Sequence, residues 1–132
     1  MKFQKHLPMG LLLGILLIHG CTPVMVGLGA GSGFGSYSYI KGELKVLYPY
    51  PYDRTWNALL TAMERLEINV ITQKRDALNG QIKGKRGDGK TVVVKMENKG
   101  LDVTEVGVRV GTFGDQEASR KIQETIINVL KS

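Results

Sequence analysis

The chain has 132 residues, a formal net charge of +6, one cysteine and two histidines. That length holds one domain of ordinary size, and a lone cysteine excludes a disulfide within it. The basic balance raises nucleic acid as a partner, but residues 74–99 hold no Phe, Trp or Tyr to stack on bases, and the start of the chain directs it elsewhere.

Residues 1–20 are expected to form an export leader. Lys2 and Lys5 give a positive beginning, and Leu7 to Ile18 is an apolar run containing Pro8, Gly10 and Gly14. The run is shorter than the roughly 20 residues that span a bilayer and has the length of a signal-peptide core. Ile18-His19-Gly20-Cys21 closes it. This tetrapeptide resembles the bacterial lipobox, which implies that the Cys21 thiol is acylated and the chain cut just before it. Two or more membrane signals anchor a protein stably, at about 0.8 kcal/mol per buried methylene. Thr22 stands where Asp resembles an inner-membrane retention signal, which implies an outer-membrane address facing the periplasm. Processing would remove both histidines, engage the sole thiol and lower the net charge from +6 to +4 as Lys2 and Lys5 depart.

Residues 21–40 are expected to be the lipidated cysteine and a glycine-rich tether. Thr22 to Ile40 carries no charge, and Gly27, Gly29, Gly31, Gly33 and Gly35 alternate through it. Such composition favours a flexible spacer. Gly27, Gly31 and Gly35 also sit four apart, the spacing of a helix-packing face in a membrane. A nucleotide-binding loop needs a preceding strand, a following helix and usually a lysine, and the segment offers a cysteine in their place.

Residues 41–132 are expected to form an α+β domain of order β-α-β-β-β-β-α, a mostly antiparallel sheet with two helices on one face. Glu43 to Tyr48 alternates and ends at Pro49, which lacks a ladder donor. Asp53 is expected to cap a helix whose stripe is Trp56, Leu59, Leu60, Met63 and Leu66. Ile68 to Lys74 is the second strand. Leu78, Gly80, Ile82 and Gly84 define one face of the third, and Gly87-Asp88-Gly89 turns into Thr91 to Glu97, with Val92, Val94 and Met96 inward. Asn98-Lys99-Gly100 turns again into Leu101 to Val110. Val106, Val108 and Val110 point inward there, and the opposite parity of Leu101 and Val103 predicts a bulge near Thr104. Asp115 caps the last helix, with Ala118, Ile122, Ile126, Val129 and Leu130 buried. A phosphate site at Gly111–Asp115 is opposed by Asp115 and Glu117, which already occupy the positive helix end.

Parity places Lys45, Lys83, Lys85, Lys95 and Arg109 on the face away from the helices, with Glu43, Glu97 and Glu105 among them. Lys83, Lys85, Lys95 and Arg109 are the candidate contacts for an anionic surface such as lipid, lipopolysaccharide or peptidoglycan carboxylates. The competing reading is a solvated face whose charges discourage strand-to-strand aggregation. A serine triad or cysteine–histidine pair cannot be assembled after processing, and the carboxylates fall mainly at caps, turns and helix exteriors. No cluster suits a transition metal. The chain is therefore read as no enzyme, with no catalytic, cofactor-binding or metal-binding residue.

The lipobox cysteine, the glycine-rich stretch, Gly42-Glu43-Leu44, the Trp56 helix, Leu78-Asn79-Gly80 and Val108-Arg109-Val110-Gly111-Thr112-Phe113-Gly114-Asp115 together resemble a family of small bacterial envelope lipoproteins of unknown function. The most specific part is R-V-G-x-F-G-D, with Ser119 four residues beyond Asp115. The resemblance implies an envelope lipoprotein with an α+β domain and supplies no activity. The expected function is a non-catalytic, lipid-anchored protein acting by interaction. The alternative is a binding module for an anionic lipid, glycan or hydrophobic small molecule. Expected partners are the membrane, through the anchor, and an envelope protein, anionic lipid or glycan, with no nucleic acid.

Overall fold

The computed structural model describes residues 37–132. The leader, Cys21 and the glycine-rich segment to Ser36 lie outside the described residues. Eight elements follow: β1 (Tyr37–Ile40), β2 (Glu43–Tyr48), α1 (Tyr52–Arg65), β3 (Asn69–Arg75), β4 (Asn79–Lys85), β5 (Thr91–Gly100), β6 (Val103–Val110) and α2 (Gln116–Lys131). The strands form one antiparallel sheet in the order β1-β2-β6-β5-β4-β3. The fold is α+β, and from Glu43 onward its elements follow the expected order. β1 is an addition at the edge. It pairs Tyr37 with Val46 and Ile40 with Glu43, so the sheet begins four residues before the expected boundary at 41. Tyr37 and Tyr39 pack against the core while Ser38 and Ile40 are exposed.

Both helices cover one face, packing on each other and on the sheet. Leu44, Val46, Ile82, Val92, Val94, Val106, Val108 and Val110 supply the sheet side of the core, all without solvent exposure. Trp56, Leu59, Met63, Ile122, Ile126 and Leu130 supply the helix side. Leu60 and Leu66 of the expected stripe are only partly buried, and Thr55, Ala58 and Ala62 fill the contact instead. The alternation Gly80-Ile82-Gly84 makes a trough in β4 for α1. A Cβ at Gly80 would lie 2.7 Å from the Trp56 ring, and one at Gly84 would lie 2.9 Å from Ile68 Cγ2 and 3.2 Å from Met63 Cε. Only glycine lets the helix sit that close to the strand.

Three local details refine the expectations. α1 starts at Tyr52 with Pro51 as its cap residue, and no side chain caps it. Proline suits an extended position there because it has no amide to leave unpaired, and Thr55 bonds the Pro51 carbonyl through both its amide and its hydroxyl. Asp53 therefore falls in the first turn and pairs with Arg75, whose guanidinium lies over the Tyr52 and Trp56 rings. Second, the irregularity expected near Thr104 is present but falls on the partner strand: Asn98 pairs with Thr104 and Gly100 with Val103, while β6 keeps one parity from Thr104 to Val110. Thr104 is buried because its hydroxyl donates to the Tyr50 carbonyl at 2.9 Å. Third, Leu78 precedes β4 and is 62% exposed. The Asp76 side chain accepts from the amides of Leu78 and Asn79 there, shaping a turn that carries Leu78 off the apolar face.

A buried polar bridge ties α2 to the sheet. Tyr48 Oη donates to Gln123 Oε1 at 2.5 Å, and Gln123 Nε2 donates to the carbonyls of Leu44 and Val106 at 3.0 and 2.9 Å. Burial pushes the Tyr48 hydroxyl well above the usual tyrosine pKa.

Candidate functional site

Among the described residues the opposite face of the sheet carries no helix, and cross-strand register arranges its side chains in rows. One row runs Ser38, Lys45, Gly107, Lys95, Gln81 and Lys74 across all six strands. Beside it Arg109 faces Val93, and Val93 faces Lys83. A third row sets Leu47 against Glu105, Glu105 against Glu97, and Glu97 against Asn79. Strands lie about 4.8 Å apart, so Lys45 and Lys95 flank Gly107 at roughly 10 Å, as Lys83 and Arg109 flank Val93.

Gly107 leaves a gap in the middle of this face, and Glu43 leans into it. A Cβ at Gly107 would sit 2.8 Å from Glu43 Oε2. The other Glu43 oxygen lies 3.7 Å from Lys45 Nζ. Beside the gap opens a depression of about 890 Å³, bordered by Lys41, Lys45, Lys83, Lys95 and Arg109, with Glu43 and Glu105 as its two carboxylates. Lys83, Lys95 and Arg109 form no salt bridge among the described residues. Arg109 instead donates to the Thr112 carbonyl.

Parity thus placed the candidate residues well. Lys83, Lys95 and Arg109 come together at the depression. Lys85 shares their face but pairs with Asn69 and Thr91 at the hairpin end, and it does not border the depression. Lys41 and Lys45 join the border, while the position of Glu43 over Gly107 depends on a register that periodicity alone cannot supply.

Charge is graded along the face. Toward the β5–β6 turn, Glu97 and Glu105 stand directly opposite, an unfavourable pairing of like charges. Lys99 relieves it with Nζ 3.1 Å from Glu97 Oε1. Its ammonium is held above the usual lysine pKa, first by that hydrogen bond and then by the charges of Glu105 and Glu97. Toward the β6–α2 end the cations dominate. The rim there is locked by two glycines, Gly42 and Gly114, at φ of 84° and 86°. A Cβ on Gly42 would meet the Phe113 carbonyl at 2.8 Å, and one on Gly114 would overlap the Gly42 backbone. Asp115 then caps α2, accepting from the Ala118 amide at 3.1 Å. That hydrogen bond is the main cause holding its carboxyl below the usual aspartate pKa, opposed by desolvation and aided by the charges of Lys90 and Arg86 and the Glu117 amide.

A family model described as a protein of unknown function, DUF3568, matches residues 7–128. The chain belongs to the DUF3568 family. No protein of curated function matches it. Among the described residues of this DUF3568 chain, no helix is long and apolar enough to cross a membrane, and no three His, Cys, Asp or Glu side chains gather as a metal site.

Proposed function

We propose that this protein is a lipid-anchored component of the bacterial envelope that acts by interaction, without catalysis, and presents the open sheet face to an anionic lipid or glycan. Cys21 is the lipidated residue in this reading, and the outer membrane facing the periplasm is its place. The observation that carries the reading is the cluster of Lys83, Lys95 and Arg109. Among the described residues these three cations stand on a face no helix covers, and none has a carboxylate partner. Cations grouped this way attract an anionic surface by about 1 kcal/mol each. Lys85 extends the same patch at its edge.

Two measurements test the reading. Protein extracted from membranes should have a mass that begins at an acylated Cys21, and Cys21→Ser should abolish the modification. An unmodified thiol on a chain that keeps residues 1–20 contradicts the anchor. Binding of the unanchored Cys21→Ser chain to vesicles containing phosphatidylglycerol should fall about 100-fold when Lys83→Glu, Lys95→Glu and Arg109→Glu are added together, and it should weaken with salt. Salt-independent binding that survives the triple variant removes the sheet face from the account.

A further inference from the structure

Two large apolar side chains project almost entirely into solvent, and they mark opposite ends of the sheet. Phe113 is 89% exposed and Leu101 is 94% exposed. The eight residues of β6 separate them, a distance of about 26 Å. Their surroundings differ. Leu101 sits in the turn beyond Glu97 and before Glu105, next to Asp102, with Lys99 the nearest cation in sequence. Phe113 follows Arg109 and Thr112, and its backbone is packed on Gly42, one residue after Lys41 and two after the exposed Ile40. Ile40, Lys41, Arg109 and Thr112 border the same basic depression as Lys45 and Lys83.

The Phe113 end is also rigidly built. Gly42 and Gly114 interlock at a distance no larger residue permits. The Arg109 guanidinium holds the Thr112 carbonyl, and Asp115 fixes the start of α2. A backbone held this firmly loses little freedom on binding, which favours it. An exposed aromatic beside an exposed aliphatic and a ring of cations has the composition of a surface that sits at a bilayer interface, with apolar groups among the acyl chains and cations at the headgroups.

Resting on the reading of the open face as an anionic-surface contact, we infer that the Phe113–Ile40 end is a bilayer-docking tip, which inserts into an anionic lipid surface and points the Leu101 end away from it. The 16 residues from Cys21 to Ser36 span at most about 55 Å, so an acylated Cys21 lets either end reach the membrane. The choice falls to charge, and the basic end wins on a surface of negative potential.

The test uses the lipidated full chain reconstituted in vesicles. Trp56 is the sole tryptophan and is 5% exposed, so it gives a constant buried background. In Phe113→Trp the introduced indole should shift to the blue and be quenched by brominated phosphatidylglycerol, with neither effect in phosphatidylcholine alone. In Leu101→Trp the indole should remain aqueous in both. Phe113→Ser should lower vesicle affinity of the unanchored Cys21→Ser chain about tenfold and leave the circular dichroism spectrum unchanged. An indole at 113 that stays aqueous on anionic vesicles overturns the docking tip, as does quenching at 101 in its place. If the triple charge reversal still weakens vesicle binding in that case, the reading of the open face stands and only the tip falls. If quenching at 113 persists through the triple reversal, the electrostatic reading falls.

Discussion

β2, β4, β5 and β6 each show two surfaces, and alternate residues of the same strands follow different rules on each. On the helix side Val92, Val94, Val106 and Val108 are fully buried, and their contribution depends on close packing. On the open side Lys83, Val93, Lys95 and Arg109 occupy the intervening positions, where packing demands little and charge is free to serve contact. The difference teaches that stability and recognition are separable in this sheet. Substitutions on one side should unfold the protein, and substitutions on the other should leave it folded and change what it meets.

The largest expected effect lies on the helix side. Trp56→Ala should cost about 3–5 kcal/mol, read as a lower urea midpoint with an unchanged m-value. The Trp56 ring fills the trough over Gly80, and a loss below 1 kcal/mol would mean that α1 is not seated there. Gly114→Ala should cost about 2 kcal/mol, since it combines a left-handed backbone with an overlap on Gly42. Differential scanning calorimetry measures it.

The polar bridge sharpens the same comparison from within the core. Gln123→Leu should destabilise by about 2 kcal/mol, because the carbonyls of Leu44 and Val106 lose the Gln123 Nε2 donor and the Tyr48 hydroxyl loses its side-chain acceptor. Tyr48→Phe should cost less in the Gln123→Leu background than alone, a coupling visible in a double-mutant cycle. Tyr48 also sets an alkaline limit. Its pKa is raised in the folded state, so its contribution is complete below the unfolded tyrosine value of about 10 and is lost as pH rises past it. Tyr48→Phe should flatten that alkaline decline in a series of denaturant titrations. Asp115 has the opposite sign. Its lowered pKa gives a contribution complete above the ordinary carboxylate range and lost as pH falls through it. Asp115→Asn should make the acid limb shallower.

The smallest effect on stability belongs to the open face. The combined change Lys83→Glu, Lys95→Glu, Arg109→Glu should move the urea midpoint by an amount equivalent to less than about 0.5 kcal/mol per site, while lowering anionic-vesicle binding of the unanchored chain about 100-fold. Loss of fold in this variant would break the separation of the two faces.

What was legible in the sequence had a local cause. The Trp56-Leu59-Met63 spacing, the Val106-Val108-Val110 alternation and the Asp115 cap each depend on neighbours within a turn or a strand. The same alternation placed Lys83, Lys95 and Arg109 on one face. Features set by distant partners were illegible. Tyr37–Ile40 is a strand only because β2 offers it an edge. Thr104 is inside only because the Tyr50 carbonyl waits for it. Gln123 lies within an apolar stripe, yet three hydrogen bonds to residues far away in sequence justify its burial. The Gly42–Gly114 contact joins two turns 72 residues apart, which explains physically why both Lys41-Gly42 and the segment ending at Asp115 carry glycine. The depression itself needed the register that brings Lys45, Gly107 and Lys95 into one row.

Which face of the sheet meets the envelope is measured directly by photocrosslinking in living cells. A photoreactive residue at Val93, on the floor of the open face, should capture anionic lipid or glycan. The same residue at Glu124, exposed on α2, should not. Capture at 124 with none at 93 would contradict the central claim.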